Sequence, residues 1–256
     1  MKINTLGDKN NSAVVLIPGM FCDDTSVLPF AKYLQDSFYV ILPTLDGHYK
    51  NSENYTDVHD QARKLIKKLH EMDIKKIALL QGTSMGAEVA FAVANECDIE
   101  IEHCFFDGGP FFMFPKWFRF FMQKKFEGFV KKFKGKTKED ALNDKFVQWL
   151  GGDNLKDYGE MIDSFVKSSD FMTKESIKGI VKTCYACELP EISNELQEKM
   201  IFHWSEKEPA QKSKKRLMKQ YQYAKYIEYP GNGHAGFQAA KSKEYAEYLR
   251  EIVKGY

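Results

Sequence analysis

The run Gly82-Thr83-Ser84-Met85-Gly86 holds the residue types needed to attack a carbonyl. A serine hydroxyl is a weak nucleophile until it is held beside a base, and the oxyanion its attack creates needs hydrogen-bond donors already in place. Residues 76–81, before the run, are apolar and of strand length; residues 87–94, after it, are small and helix-forming. A serine between two glycines at the corner from a buried strand into a helix occupies a turn too tight for bulkier neighbours, with its hydroxyl held exposed in a strained conformation. The new helix aims its first N–H groups and the positive end of its dipole at any anion formed there. This is the chemistry of acyl transfer. The five-residue pattern is weak evidence by itself, and a base and a carboxylate are needed to complete it.

Of the six histidines, His234 is the best placed. It stands in the glycine-rich stretch Gly231-Asn232-Gly233-His234-Ala235-Gly236, after a β-prone run and before a helix with Tyr245, Tyr248, Leu249, Ile252 and Val253 on one face. A histidine on a loop between strand and helix can reach a serine on another loop at the same sheet edge. The bland alternative is a solvated loop histidine. His59 and His70 lie on an amphipathic helix, His103 and His203 in apolar strand-like runs, and His48 in a polar loop. For the carboxylate that would orient the imidazole, the residues leave three candidates. Glu206 and Glu208 sit in the charged turn after the run Met200-Ile201-Phe202-His203-Trp204, and Asp107 closes the strand-like run 101–106. Most carboxylates at strand ends are simply solvated.

The elements that must position these residues alternate. Residues 12–17 and 38–43 read as buried strands, and residues 58–72 form an amphipathic helix with Val58, Ala62, Leu65, Ile66, Leu69 and Met72 inward. Strand and helix alternation over residues 13–110 implies a mostly parallel sheet flanked by helices. Taken with the Gly-x-Ser-x-Gly corner and the chain order Ser, Glu, His, this organisation resembles the α/β-hydrolase superfamily. The resemblance implies a mostly parallel α/β-hydrolase core over residues 1–110 and 196–256, with a helical cap, residues 111–195, inserted after the sixth strand. In that superfamily the seventh strand commonly ends in a Gly-x-x-Asp turn carrying the acid. Ser205-Glu206-Lys207-Glu208 is similar to that turn, with serine for glycine and glutamate for aspartate, which implies Glu208 as the acid. The turn Pro18-Gly19-Met20-Phe21 resembles the superfamily's His-Gly turn, with proline in place of histidine. The donor there is main chain, so the resemblance implies an oxyanion hole built from the Met20 and Met85 N–H groups.

The proposed cap opens on Phe111-Phe112-Met113-Phe114-Pro115-Lys116-Trp117-Phe118-Arg119-Phe120-Phe121, with Lys124, Lys125, Lys131 and Lys132 following. Aromatics all round a helix fit burial better than a one-sided stripe. The expectation is therefore a wall for an apolar acyl pocket, with Phe21, Phe111, Phe112 and Trp117 as candidate lining residues; the alternative, less favoured, is an interfacial helix touching lipid. Net charge is +1 over 256 residues, which offers no electrostatic footprint for nucleic acid. The first residues lack the apolar core of a signal peptide, no run has the length of a membrane span, and the five scattered cysteines fit reduced thiols, so a cytoplasmic protein is expected. Cys184 and Cys187 have metal-like spacing but no second pair to complete a site.

The expected activity is hydrolysis of a small, mostly apolar carboxylic ester or thioester through an acyl-enzyme, with Ser84 as nucleophile, His234 as base, and no metal or organic cofactor. Two other readings stay open: a carbon–carbon bond hydrolase using the same three residues, and a ligand sensor of the same fold with little turnover. Serine at the corner argues against the superfamily's dehalogenase and epoxide-hydrolase branches, which carry aspartate there.

Overall fold

Apolar residues in the strands face both ways, so the sheet must be covered on both sides. In β2 (Ala13–Ile17), Ala13, Val15 and Ile17 pack on one face while Val14 and Leu16 pack on the other. In β6 (Met200–Ser205), Met200, Phe202 and Trp204 face the first side and Ile201 the second. The computed structural model describes residues 1–145, 147–148, 152–231 and 233–255. Its strands β1 (Lys2–Leu6), β2, β3 (Tyr39–Thr44), β4 (Lys76–Thr83), β5 (Glu100–Asp107), β6 and β7 (Lys225–Tyr229) form one sheet in the order β1-β3-β2-β4-β5-β6-β7. β1 runs antiparallel to β3, and every other pairing is parallel.

Helices α1 (Leu28–Ala31), α2 (Val58–Glu71) and α3 (Met85–Glu96) connect the first five strands. Between β5 and β6 lie α4 (Lys116–Phe133), α5 (Lys138–Leu142), a 3-10 segment Gly152–Tyr158, α6 (Gly159–Ser169), α7 (Lys174–Tyr185) and α8 (Asn194–Glu198). After β6 come α9 (Lys214–Gln220), α10 (Gly236–Ala240) and α11 (Ser242–Lys254). The helical insertion thus follows the fifth of seven described strands, where the sequence reading put it after a sixth. The sheet begins with β1, an edge strand absent from that reading, and no described strand lies outside it. β1 pairs on one side only and alternates exposed and half-buried residues, so it lacks the continuous apolar signal of its neighbours.

Parallel pairing brings the C-terminal ends of β2 to β7 to one edge, the usual place for a site in an open α/β sheet. The insertion is bonded to loops at that edge. The Asp23 N–H donates to Ser164 Oγ at 2.7 Å, and the Ser164 hydroxyl donates to Asp23 Oδ1 at 2.6 Å. The Tyr55 N–H donates to Ser176 Oγ at 3.1 Å. Gly179 of α7 packs so closely on the loop before α2 that a Cβ there would lie 2.4 Å from the Tyr55 carbonyl oxygen. By contrast, Gly128 on α4 has open space where a Cβ would project.

These two glycines predict opposite signs for one substitution. Gly179→Ala should lower unfolding stability by about 1–3 kcal/mol through overpacking, whereas Gly128→Ala should raise it by about 0.5–1 kcal/mol through helix propensity. Urea midpoints at unchanged m-value measure both.

Candidate active site

Ser84 leaves β4 at φ 55° and ψ −123°, a left-handed conformation whose cost is of order 1–3 kcal/mol for a residue with a side chain. Close packing enforces it. A Cβ on Gly82 would lie 2.1 Å from the Gly86 carbonyl oxygen, and a Cβ on Gly86 would lie 2.4 Å from the carbonyl oxygens of both Ile17 and Pro18. The Ser84 N–H donates to the Asp107 carbonyl at 2.7 Å, tying the corner to the end of β5. Only 6% of Ser84 is accessible, less than the exposed hydroxyl expected from the sequence; the Gly19 turn lies directly against it.

The structure brings Glu208 and His234 together. Glu208 Oε1 is hydrogen-bonded to His234 Nδ1, and Oε2 accepts the Ser205 N–H at 3.0 Å within the turn after β6. The carboxylate is wholly enclosed, while 44% of the imidazole side chain is accessible. With its proton on Nδ1, the neutral ring carries its lone pair on Nε2. Desolvation pulls the His234 pKa down, but the charge and hydrogen bond of Glu208, with a further contribution from Asp107, outweigh this and raise it above its ordinary value. Gly108, at φ 65°, touches the pair: a Cβ there would lie 2.5 Å from Glu208 Oε1 and 3.2 Å from His234 Nδ1. From the insertion, the Tyr158 hydroxyl donates to the His234 carbonyl at 3.2 Å.

The rival carboxylates are engaged elsewhere. Asp107 is buried, with Oδ1 hydrogen-bonded to His203 Nδ1 at 2.8 Å and Oδ2 accepting the Tyr245 hydroxyl at 2.7 Å. Glu206 is exposed and accepts the Gly231 N–H at 2.9 Å.

Met85 is the first residue of α3, where helix N–H groups lack intrahelical acceptors. Met20 lies in the facing turn, and the Gly86 contact with Ile17 and Pro18 holds α3 against the chain entering that turn. The next residue, Phe21, has φ 60°, and its N–H donates to His48 Nε2 at 3.0 Å. His48 Nδ1 donates to the Asp46 carbonyl at 2.9 Å, so both nitrogens are used by one neutral tautomer. His48 is buried, which lowers its pKa despite that carbonyl and the charges of Asp23 and Asp46.

Sequence reasoning missed His48, Gly108 and Tyr158. Two of them carried a signal: His48 follows Asp46-Gly47 in a loop leaving β3 at the site's edge, and Gly108-Gly109-Pro110 interrupts the chain directly after β5.

Among the candidate pocket residues, Phe21 is buried edge-on against Phe126 and Phe165 of the insertion. Phe112 is half-buried beside Phe114 and Tyr185. Two expectations need correction. Phe111 is fully buried against Phe91, Phe106 and Phe202, so its ring is part of the core beneath the site. Trp117 is 71% exposed and faces solvent, because α4 packs on its neighbours through the opposite face. Cys184 and Cys187 are free thiols, and no group of three His, Cys, Asp or Glu suited to a metal ion occurs among the described residues.

The His48 bond to the Phe21 turn is testable by stability. His48→Phe keeps a buried ring but leaves the Phe21 N–H without an acceptor, which should cost about 1–3 kcal/mol at pH 8. Because the folded pKa is depressed, the unfolded chain takes up the proton first, so the stabilising part of wild-type His48 shrinks as pH falls below roughly 6.5. The gap between wild type and variant should therefore narrow on acidification, as read from urea midpoints across pH.

No family model matches the sequence, and no curated protein matches it. Solved structures do match. An esterase from Thermogutta terrifontis aligns at 16% identity with a TM-score of 0.71, over 98% of this chain and 93% of that one. MGS-M2, an alpha/beta hydrolase enzyme from a Medee basin deep-sea metagenome library, aligns at 14% identity with a TM-score of 0.74, over 100% and 94%. The enol-lactonase from Burkholderia xenovorans LB400 aligns at 13% identity with a TM-score of 0.71, over 99% and 96%. Likeness over nearly the whole of each chain, at identities this low, establishes architecture and not activity: this chain has the α/β-hydrolase fold.

Proposed function

We propose that this protein is a serine hydrolase that cleaves small, mostly apolar carboxylic esters or thioesters through an acyl-enzyme. The observation that carries this reading is the enclosed Glu208 carboxylate bonded to His234 Nδ1, against the same strand end that holds the Ser84 corner. In the proposed reaction Ser84 Oγ attacks the substrate carbonyl carbon while His234 Nε2 takes the hydroxyl proton. The Met20 and Met85 N–H groups hold the oxyanion. Collapse expels the alkoxide or thiolate, which receives the proton from His234, and water hydrolyses the acyl-enzyme by the same route. Glu208 fixes the imidazole tautomer and stabilises its charged form. Residues 111–195 act as the cap, and Phe21, held between Phe126 and Phe165, gives the acyl side an apolar wall. The esterase and enol-lactonase among proteins of this fold are consistent with attack on an ester carbonyl.

Labelling by a fluorophosphonate and turnover of short p-nitrophenyl esters test the proposal together. Ser84→Ala should abolish labelling and lower kcat/KM on the order of 10⁴-fold or more, with an unchanged circular dichroism spectrum. Stoichiometric ligand binding without turnover in the wild type would instead identify a sensor.

The pH profile isolates the acid. Because the His234 pKa is raised, the rise of kcat/KM with pH should fall above roughly 6.5, as the ring loses its proton and becomes a base. Glu208→Gln removes the charge that raises it, so this limb should move to lower pH while the plateau falls by roughly 10³–10⁴-fold. A larger loss with Asp107→Asn than with Glu208→Gln would transfer the role to Asp107.

A further inference from the structure

The outward face of α4 is not explained by the proposed chemistry. Trp117, Phe120 and Phe121 are 71%, 62% and 59% exposed, and at i, i+3 and i+4 they stand together on one side of the helix. The same stripe continues through the exposed Lys124, Lys125, Lys131 and Lys132. The opposite side, with Met122 and Phe126 half-buried and Val130 and Phe133 buried, already anchors the helix to the protein. The three outward rings therefore contribute little to folding. Residues 116–136 hold eight basic residues against one acidic, a net +7; since the whole chain is +1, the remainder sums to −6. Lys124 and Lys132 form ion pairs with Glu127 and Asp144, and Lys124 lies over the Phe120 ring. Lys116, Lys125 and Lys131 make no ion pair among the described residues.

We propose that this face of α4 docks on an anionic lipid bilayer, with Trp117, Phe120 and Phe121 entering the interface and the following lysines meeting lipid phosphates. Charge complementarity selects the occupant. A second copy docked symmetrically through this face would bring two strongly basic faces together, and like charges there repel. A single-stranded nucleic acid needs a basic groove that tracks its backbone, whereas these rings project from one helix. A bilayer takes up both halves of the stripe at once: aromatic rings at the boundary of headgroups and acyl chains, and basic residues attracted to the surface charge. The mode of binding is peripheral, since no helix among the described residues is long and apolar enough to cross a membrane. It does not depend on Ser84 or on the proposed hydrolysis.

The test is co-sedimentation of the full chain with phosphatidylcholine vesicles, with and without phosphatidylglycerol. Binding is expected only with phosphatidylglycerol present, and it should weaken as salt rises. The double variants Phe120→Ser/Phe121→Ser and Lys124→Glu/Lys125→Glu should each reduce the binding constant at least tenfold while keeping the wild-type thermal midpoint. Absence of binding to anionic vesicles, equal binding to phosphatidylcholine alone, or binding insensitive to salt would overturn the proposal without any variant. It would equally fail if Phe120→Ser/Phe121→Ser left vesicle binding intact but abolished self-association or binding of a single-stranded oligonucleotide.

Discussion

The architecture of the site depends on two contacts that no side chain could share. Gly82 lies under the first turn of α3, and Gly86 lies on the carbonyls of Ile17 and Pro18. The first contact forces Ser84 into a left-handed conformation, and the second sets how near α3 comes to the turn carrying Gly19 and Met20. Two close approaches of backbone to backbone thus fix the orientation of the serine and the spacing of the two N–H groups proposed to receive an oxyanion. The cost is strain at Ser84, offset by the Asp107 carbonyl and by the packing of α3 on the sheet.

Two histidine–carboxylate pairs lie near this corner, and their surroundings give them different capacities. Asp107 and His203 are both buried in the sheet, and Tyr245 occupies the second carboxylate oxygen. That pair joins β5, β6 and α11. Glu208 and His234 sit on loops instead, with the carboxylate enclosed and the imidazole partly open to solvent. Only the second ring is free to exchange a proton with a molecule from outside. The negative charge of Asp107 still reaches it and helps to keep its pKa up.

What could be read in the sequence follows from how local each signal is. The Ser84 corner combines a strand, a glycine-flanked turn and a helix within about twenty residues, so periodicity and turn chemistry suffice. The loops carrying His234 and Glu208 could be placed at one sheet edge from their position after strand-like runs, and their contact agrees with that placement, while the roles given to them rest on resemblance in chain order. β1 was not, because an edge strand with one open face carries half the apolar signal. His48 was not, because its burial comes from α6 and the Phe21 turn, far away in sequence. Composition also misjudged α4: an aromatic-rich helix reads as buried all round, yet only packing partners decide which rings are covered, and Trp117, edge-on to its neighbour Phe118, stays largely exposed.

The insertion between β5 and β6 also has a consequence for how the chain reaches its native state. β3 joins β2 and β5 joins β4 after short crossovers, and β4 joins β2 across residues 18–75, whereas β6 pairs with β5 only once the still longer stretch from Gly108 to Lys199 has been looped out. Closing such a loop is entropically opposed before any contact rewards it. The glycine corner thus belongs to the part of the chain with the cheaper closures, and the Glu208–His234 loops to the part with the costly one. A polypeptide arrested between these stages would hold a strained serine with no base beside it, and could not attack the esters that the finished protein is proposed to cleave.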